Sequence, residues 1–219
     1  MKFQILIMGE EEKLKHASSR RVFLIDGKVV KFYPPFYGYI LHDIFFMFFS
    51  LFFFHTIFPI SVKKKIRNEV EGRKFLRKLK FRTTKIKKIS KNFIEEKFEK
   101  NALSLSELEI LNPGEAIDVA ERIGEITRKL HEENLYFIDN RASNWLFDGD
   151  LIRTDLELFR HTKKSKKFFI FCDLLSFLSS VESKKIREKF LEGYGKSVKI
   201  SGILRAVISI YIKLTDLIF

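Results

Sequence analysis

Over the first hundred residues the apolar and polar positions read mostly as strands, and over the remainder they recur mostly at helical spacing. Residues 3–8, 21–25 and 28–33 are short apolar or alternating runs, and Asp26-Gly27 between the last two predicts a two-residue hairpin. Pro34-Pro35 ends this small antiparallel sheet. Over 61–80, Val62, Ile66, Val70, Phe75 and Leu79 keep a helical period with basic residues on the other faces; 85–89 and 92–98 return to strand patterning. Residues 99–106 read as a connector. Asn112-Pro113 followed by Glu115 predicts a helix start, and Ala116, Ile117, Ala120, Ile123, Gly124, Thr127 and Leu130 form its stripe, ending near Asn134. A second hairpin, 145–147 and 151–153, turns at Asp148-Gly149-Asp150, and helices are expected over 168–181, 186–194 and 200–219.

Between that long helix and the second hairpin lies Leu130-His131-Glu132-Glu133-Asn134-Leu135-Tyr136-Phe137-Ile138-Asp139-Asn140-Arg141-Ala142-Ser143-Asn144, and Asp155 follows the hairpin. A carboxylate at Asp139 suits orienting a hydroxyl and accepting its proton. Asn144 and Asp155 supply hard oxygen ligands of the kind magnesium takes alongside phosphate. Phosphoryl transfer is mostly positioning and charge neutralisation, so this short polar set is enough to suggest it.

The stretch resembles the catalytic and metal-binding loops of the protein-kinase-like superfamily, whose pattern is H-R/G-D-x-x-x-x-N, a hairpin, then D-F-G. It is most similar to the small atypical members: RIO-type kinases, compact archaeal kinases and lipopolysaccharide-core kinases. The departures are Phe137 where histidine is usual and Leu156-Glu157 in place of Phe-Gly. The resemblance implies an α+β, two-lobed fold: a small antiparallel-sheet N-lobe with one long helix over 1–98, carrying an apolar insertion at 36–60, and a reduced helical C-lobe over 99–219. It implies Asp139 as the catalytic aspartate, Arg141 as a cation near the transferred phosphate, and Asn144 and Asp155 as metal ligands. It further implies Lys31 on the nucleotide's inner phosphates, held by Glu71, with Glu69 left open because periodicity does not fix which acid faces inward. Residues Glu96 to Phe98 would give main-chain contacts to adenine. Asp173 either braces the catalytic loop's backbone, as in kinases, or caps its own helix.

On this reading the chain is an atypical serine/threonine-type or lipid/sugar kinase, using ATP and Mg2+ or Mn2+ to phosphorylate a hydroxyl of a protein or a lipid-linked sugar. The alternative is a catalytically inactive kinase-like scaffold at a membrane surface. The glycine-rich phosphate turn of kinases has no counterpart in residues 9–20, where amides near Ser18 and Ser19 would have to serve.

Composition adds a charge question. The chain of 219 residues carries a formal net charge of +13, and residues 63–91 hold fourteen Lys or Arg against Glu69 and Glu71 alone. Such a balance suits an anionic membrane surface or nucleic acid. With only Phe75 and Phe81 in the basic run, base stacking is limited, which argues against nucleic acid. The run from Ile44 to Phe54 is apolar except for Ser50 and suggests, through 36–65, contact with a membrane interface; a buried helix or an oligomer contact is the other reading. A single bilayer crossing there would separate Lys31 from Glu71. Cys172 as the one cysteine excludes an intrachain disulfide, and no signal peptide is read at the start, so a cytoplasmic protein, or one peripheral on the inner face of the cell membrane, is expected.

Overall fold

The structure, a computed structural model, describes residues 12–13, 21–33 and 61–195. The strand expected at 3–8, the phosphate turn in 9–20, the apolar insertion at 36–60 and the helix at 200–219 lie outside the described residues. The class is α+β, and the chain divides into two compact units, one of residues 1–67 and 84–100, the other of 68–83 and 101–219.

The first unit is built on an antiparallel sheet ordered β1-β2-β3-β6-β5, with β1 Glu12–Lys13, β2 Arg21–Ile25, β3 Lys28–Phe32, β5 Ile86–Ile89 and β6 Phe93–Lys97. Asp26 and Gly27 both adopt positive φ, +48° and +67°, the conformation a tight I′ hairpin demands and the reason Asp-Gly marks it. Strand alternation sorts the side chains. One face carries Phe23, Phe32 and Phe93 in edge and tilted ring contacts of 5.9 and 5.5 Å; the other carries Lys31, Ile94 and Glu96.

Helix α1 (Val62–Lys78) belongs to the second unit from residue 68 onward, where it turns Asn68, Glu69, Gly72, Arg73 and Leu76 inward, and α2 (Leu105–Leu111) leads to α3 (Pro113–Glu132). A mixed sheet of order β4-β10-β9-β7 joins β4 Arg82–Thr83, β10 Leu151–Arg153, β9 Trp145–Phe147 and β7 Leu103–Ser104, with β4 parallel to β10. Strand β8 (Leu135–Tyr136) pairs with β11 (Arg160–His161), and α4 (Lys166–Leu178) and α5 (Lys184–Gly195) complete the unit. Asn112 caps α3 by accepting from the Glu115 amide, with Pro113 in the first turn, as its sequence predicts. α3 and α5 meet backbone to backbone: a Cβ on Gly193 would lie 2.1 Å from the Glu121 carbonyl oxygen, and one on Gly124 2.2 Å from that of Phe190.

Two expectations need correction. Residues 68–83 were assigned to the N-terminal unit, but they pack with the second. Gly72 admits Leu156 and Phe159 so closely that a Cβ there would sit 3.0–3.1 Å from them, and the Asn68 side-chain amide donates to the Glu157 carbonyl at 2.7 Å. The connector at 99–106 is structured: it contains β7 and the start of α2, where Ser104 and Glu107 cap each other reciprocally. Among the described residues no helix is long and apolar enough to cross a membrane.

Candidate active site

Helix α3 ends at Glu132, and Asn134 at φ +59° turns the chain into β8 and on to a loop whose backbone is strained. Ile138, immediately before Asp139, has φ +67°, a conformation that a β-branched residue resists. The strain is held by Asp173. This carboxylate, fully buried in the middle of α4, accepts the amides of Phe137, at 3.0 Å, and of Ile138, and also bonds His131 Nε2 at 2.8 Å. A carboxylate only accepts, so His131 donates from Nε2, and its Nδ1 lies at hydrogen-bond distance, 3.0 Å, from Tyr194 Oη. Burial, with Asp173 nearby, pushes the Tyr194 hydroxyl above its ordinary value and keeps it a donor. Of the two sequence alternatives for Asp173, the structure has the brace and not the helix cap.

The braced loop presents the Asp139 carboxylate, which is about one-fifth exposed. Its Oδ1 lies 2.8 Å from Arg141 Nε and accepts Ser176 Oγ at 3.3 Å. The Asn144 amide nitrogen donates to the Asp139 carbonyl at 3.1 Å, which leaves its side-chain oxygen as the remaining ligand atom. Asn140 points inward, accepting from Trp145 Nε1 at 2.8 Å and donating to Thr127 Oγ1 at 3.3 Å. The β9–β10 hairpin then brings the chain back. Trp145 pairs with Arg153, and the Thr154 amide donates to the Asn144 carbonyl at 3.0 Å, so Asp155 returns one residue beyond the Asn144–Thr154 step. Asp155 itself is at φ +50°, a left-handed conformation that Asp tolerates better than most residues.

Arg153 ties these pieces together. It is fully buried; one terminal nitrogen donates to the Asp139 carbonyl at 2.6 Å and more weakly to that of Asp155 at 3.5 Å, and its guanidinium carbon lies 4.2 Å over the Phe137 ring and 5.0 Å over that of Trp145. Burial pulls its pKa down to about 10 against the opposing pull of Asp155, Asp139, Asp173 and Glu69, so the group remains a cation at neutral pH. Behind the loop, the Leu156 amide donates to Glu69 Oε2 at 3.1 Å, and Glu69 also ion-pairs with Arg73.

The nucleotide-side expectations fall as follows. In the first unit Lys31 Nζ lies 2.8 Å from Glu96 Oε1, both groups almost fully buried, and Glu96 Oε2 accepts Thr84 Oγ1 at 2.7 Å. The Glu96 side chain is thus engaged by Lys31 and Thr84 from within β6; Phe98, half-buried, follows the strand. Of the two acids left open on α1, Glu71 was preferred, but it is exposed and Glu69 is the one turned inward. The reason is periodicity: 69, 72, 73 and 76 form the inward stripe, and 71 falls off it. Cys172 is half-buried and its thiol is pushed up by burial, which makes it inert. Among the described residues no group of three or more His, Cys, Asp or Glu side chains is arranged to hold a metal; the candidate ligand pair is the Asn144 carboxamide and the Asp155 carboxylate, hard donors that fit magnesium.

No family model matches the chain. A curated protein of Methanocaldococcus jannaschii, described as a probable bifunctional tRNA threonylcarbamoyladenosine biosynthesis protein, is 38% identical over 88 residues, which is 37% of this chain and only 16% of that protein's length. The solved structure of WaaP in complex with acyl carrier protein matches 95% of this chain and 89% of that one with a TM-score of 0.59 at 13% identity. The fold is kinase-like. An ADP-bound aminoglycoside phosphotransferase, APH(2'')-Ib, is a more remote neighbour, with a TM-score of 0.45 at 14% identity over 96% of this chain and 82% of that one.

Within a kinase-like fold the departures from the superfamily's pattern acquire structural explanations. Phe137 is buried against Trp145, edge-on at 5.6 Å, and floors the guanidinium of Arg153. Leu156 is the buried residue packed at Gly72. Arg153, Asn140 and Ser176 are the polar groups that sequence reasoning passed over, whereas His131 is the structural histidine at a helix end that its position suggests. Arg153 left one signal, a charged residue closing the apolar strand Leu151-Ile152-Arg153.

Proposed function

We propose that the chain is an ATP-dependent phosphotransferase of atypical kinase type, acting on a hydroxyl of a protein (Ser/Thr) or of a lipid-linked sugar. The observation that carries this reading is the arrangement around Asp139: a partly exposed carboxylate on a strained loop, over-determined by a buried aspartate, with the Asn144 side chain bonded to its carbonyl and Asp155 returned beside the Asn144–Thr154 step by one hairpin. Strain held so firmly beside a functional-type group is what a preorganised site costs.

In this mechanism Asp139 orients the acceptor hydroxyl and takes its proton as the new oxygen–phosphorus bond forms and ADP leaves with the electrons of the broken bond. Ser176, donating to Oδ1, and the Arg141 ion pair orient the carboxylate, and the nearly half-exposed Arg141 guanidinium sets a positive charge beside it for the transferred phosphoryl group. Asn144 and Asp155 would hold magnesium or manganese, which supplies neutralisation of phosphate charge when bound.

Thermal unfolding with MgATP, ATP alone and Mg2+ alone, followed by a phosphotransfer screen against cell protein and lipid fractions, tests the reading. Asp139→Ala is expected to cut turnover by about 100-fold or more while keeping nucleotide-dependent stabilisation. Asp155→Ala is expected to remove the magnesium-dependent part of that stabilisation. Unchanged turnover in Asp139→Ala rejects the assignment; stabilisation of the wild type with no transfer to any fraction favours the inactive scaffold. For location we propose a membrane surface, supported by the apolar composition of 36–60 and the exposed Lys63 and Lys64 beside it. Flotation with anionic vesicles is the check, and equal flotation after deletion of 45–54 would remove the idea.

A further inference from the structure

We propose that Arg153 is a positioning residue that ties the loop bearing Asp139 to the segment bearing Asp155, in the place of the histidine that the kinase pattern carries where this chain has Phe137. The inference deepens the phosphotransferase reading and, for its catalytic half, rests on it.

Burying a guanidinium is expensive unless it is well paired, and an aliphatic residue would fill the end of a short strand more cheaply. Arg153 makes only two hydrogen bonds, both from one terminal nitrogen and both to backbone carbonyls, those of Asp139 and Asp155. Its Nε and second terminal nitrogen have no hydrogen-bond partner. The guanidinium carbon instead lies 4.2 Å from the Phe137 ring centre and 5.0 Å from that of Trp145, a desolvated cation–π arrangement that offsets part of the burial cost. Those two carbonyls belong to the two acids that the phosphotransferase reading uses together. The guanidinium is also a positive group held beside the Asp139 and Asp155 backbone.

Phe137 completes the argument. An imidazole at that position would set an N–H donor and a second potential cation against the guanidinium, 4.2 Å from the ring centre; a phenyl ring offers a π face and no competing proton. In this chain the side-chain donor at this place is therefore residue 153 and not residue 137. Lysine at 153 would keep the charge but not the planar, delocalised group that reaches two carbonyls from one nitrogen while its carbon sits near both rings.

The test uses the full chain and three variants: Arg153→Lys, Arg153→Met, and Arg153→Met combined with Phe137→His. Amide hydrogen exchange over 137–144 and 154–157 reads the tie directly, and the emission of Trp145, the one tryptophan, reports the ring contact. In Arg153→Lys, exchange in both segments should rise together while thermal unfolding stays cooperative. Turnover with MgATP should fall by about 10- to 100-fold with KM for ATP little changed, as when a group supporting a metal ligand is lost. Adding Phe137→His to Arg153→Met should restore part of the protection and of kcat. Wild-type exchange in both segments in Arg153→Lys overturns the proposal, even if Arg153→Met fails to fold. A wild type without turnover, together with raised exchange in Arg153→Lys, sinks the phosphotransferase reading and leaves the positioning role standing.

Discussion

Asp173 and Asp148 each accept three hydrogen bonds, and they do unequal work. Asp173, at the centre of α4 and shut off from solvent, takes the amides of Phe137 and Ile138 and the imidazole of His131. Asp148, on the turn of the β9–β10 hairpin, takes both terminal nitrogens of Arg82, at 2.8 and 3.0 Å, and the Asp150 amide at 3.4 Å. Around Asp148 water can replace any partner that leaves. Around Asp173 it cannot, so each donor there would be stranded in a low dielectric, at a cost of about 1–3 kcal/mol apiece. The count of bonds therefore does not rank the two sites. What ranks them is the fate of the partners, and at Asp173 one of those partners is an amide on a backbone that would otherwise relax.

The comparison breaks first if Asp173 can be neutralised cheaply. Asp173→Asn keeps the volume but sets an amide N–H against backbone N–H groups, and a loss of about 3–5 kcal/mol in denaturant unfolding is expected, the range for removing one member of a buried charged network. Relief of Ile138 should accompany it, visible as faster exchange at residue 138 beyond the global effect. Stability within about 1 kcal/mol of the wild type would show that the brace is dispensable and that something else holds φ at +67°.

Packing without polar groups sharpens the same contrast. A Cβ at Gly193 would meet the Glu121 carbonyl at 2.1 Å, and since that neighbour is backbone, α3 and α5 must separate to admit it. Gly193→Ala is expected to lose about 3 kcal/mol, the upper end for overpacking, read as a lowered Tm. Because α5 also carries Tyr194, which bonds His131, a wild-type Tm in this variant would mean that the two helices slide freely and that the hydroxyl contact contributes little.

These two regions also divide what the sequence made legible. The capping of α3 by Asn112, the Asp-Gly turns and the spacing of Asp139, Asn144 and Asp155 are local features, written within a few residues or repeated at fixed spacing. The capping box at Ser104 and Glu107 was equally local and was overlooked because residues 99–106 carry no periodic apolar run. Other features are decided by partners far along the chain: Asp173 reaches 35 and 36 residues back, and Glu69 meets the amide of Leu156 at a separation of 87. Periodicity gave a helix over 61–80 but not its inward phase, which is why Glu71 was preferred over Glu69. Arg153 was hidden for a related reason: a guanidinium flanked by two rings is stable only once residues 137, 145 and 153 are brought together, and no one window contains the cause.

The weakest effect is expected at Asp148, where the comparison can be tested from its other side. The Arg82 hydrogen bonds hold this carboxyl below the usual carboxylate range, so whatever the pair adds is fully present above the pKa of the unfolded chain's Asp, and fades only as the pH falls through the lowered folded value. Arg82 is nearly half exposed and Asp148 a quarter, so screening leaves about 0.5 kcal/mol. Asp148→Asn should lower stability by that small amount at pH 7 in dilute buffer, and the gap should narrow in 1 M salt, where the Debye length is about 3 Å. A deficit above about 2 kcal/mol that persists in high salt would place Asp148 in the same class as Asp173 and remove the distinction between a fixed network and a solvated one.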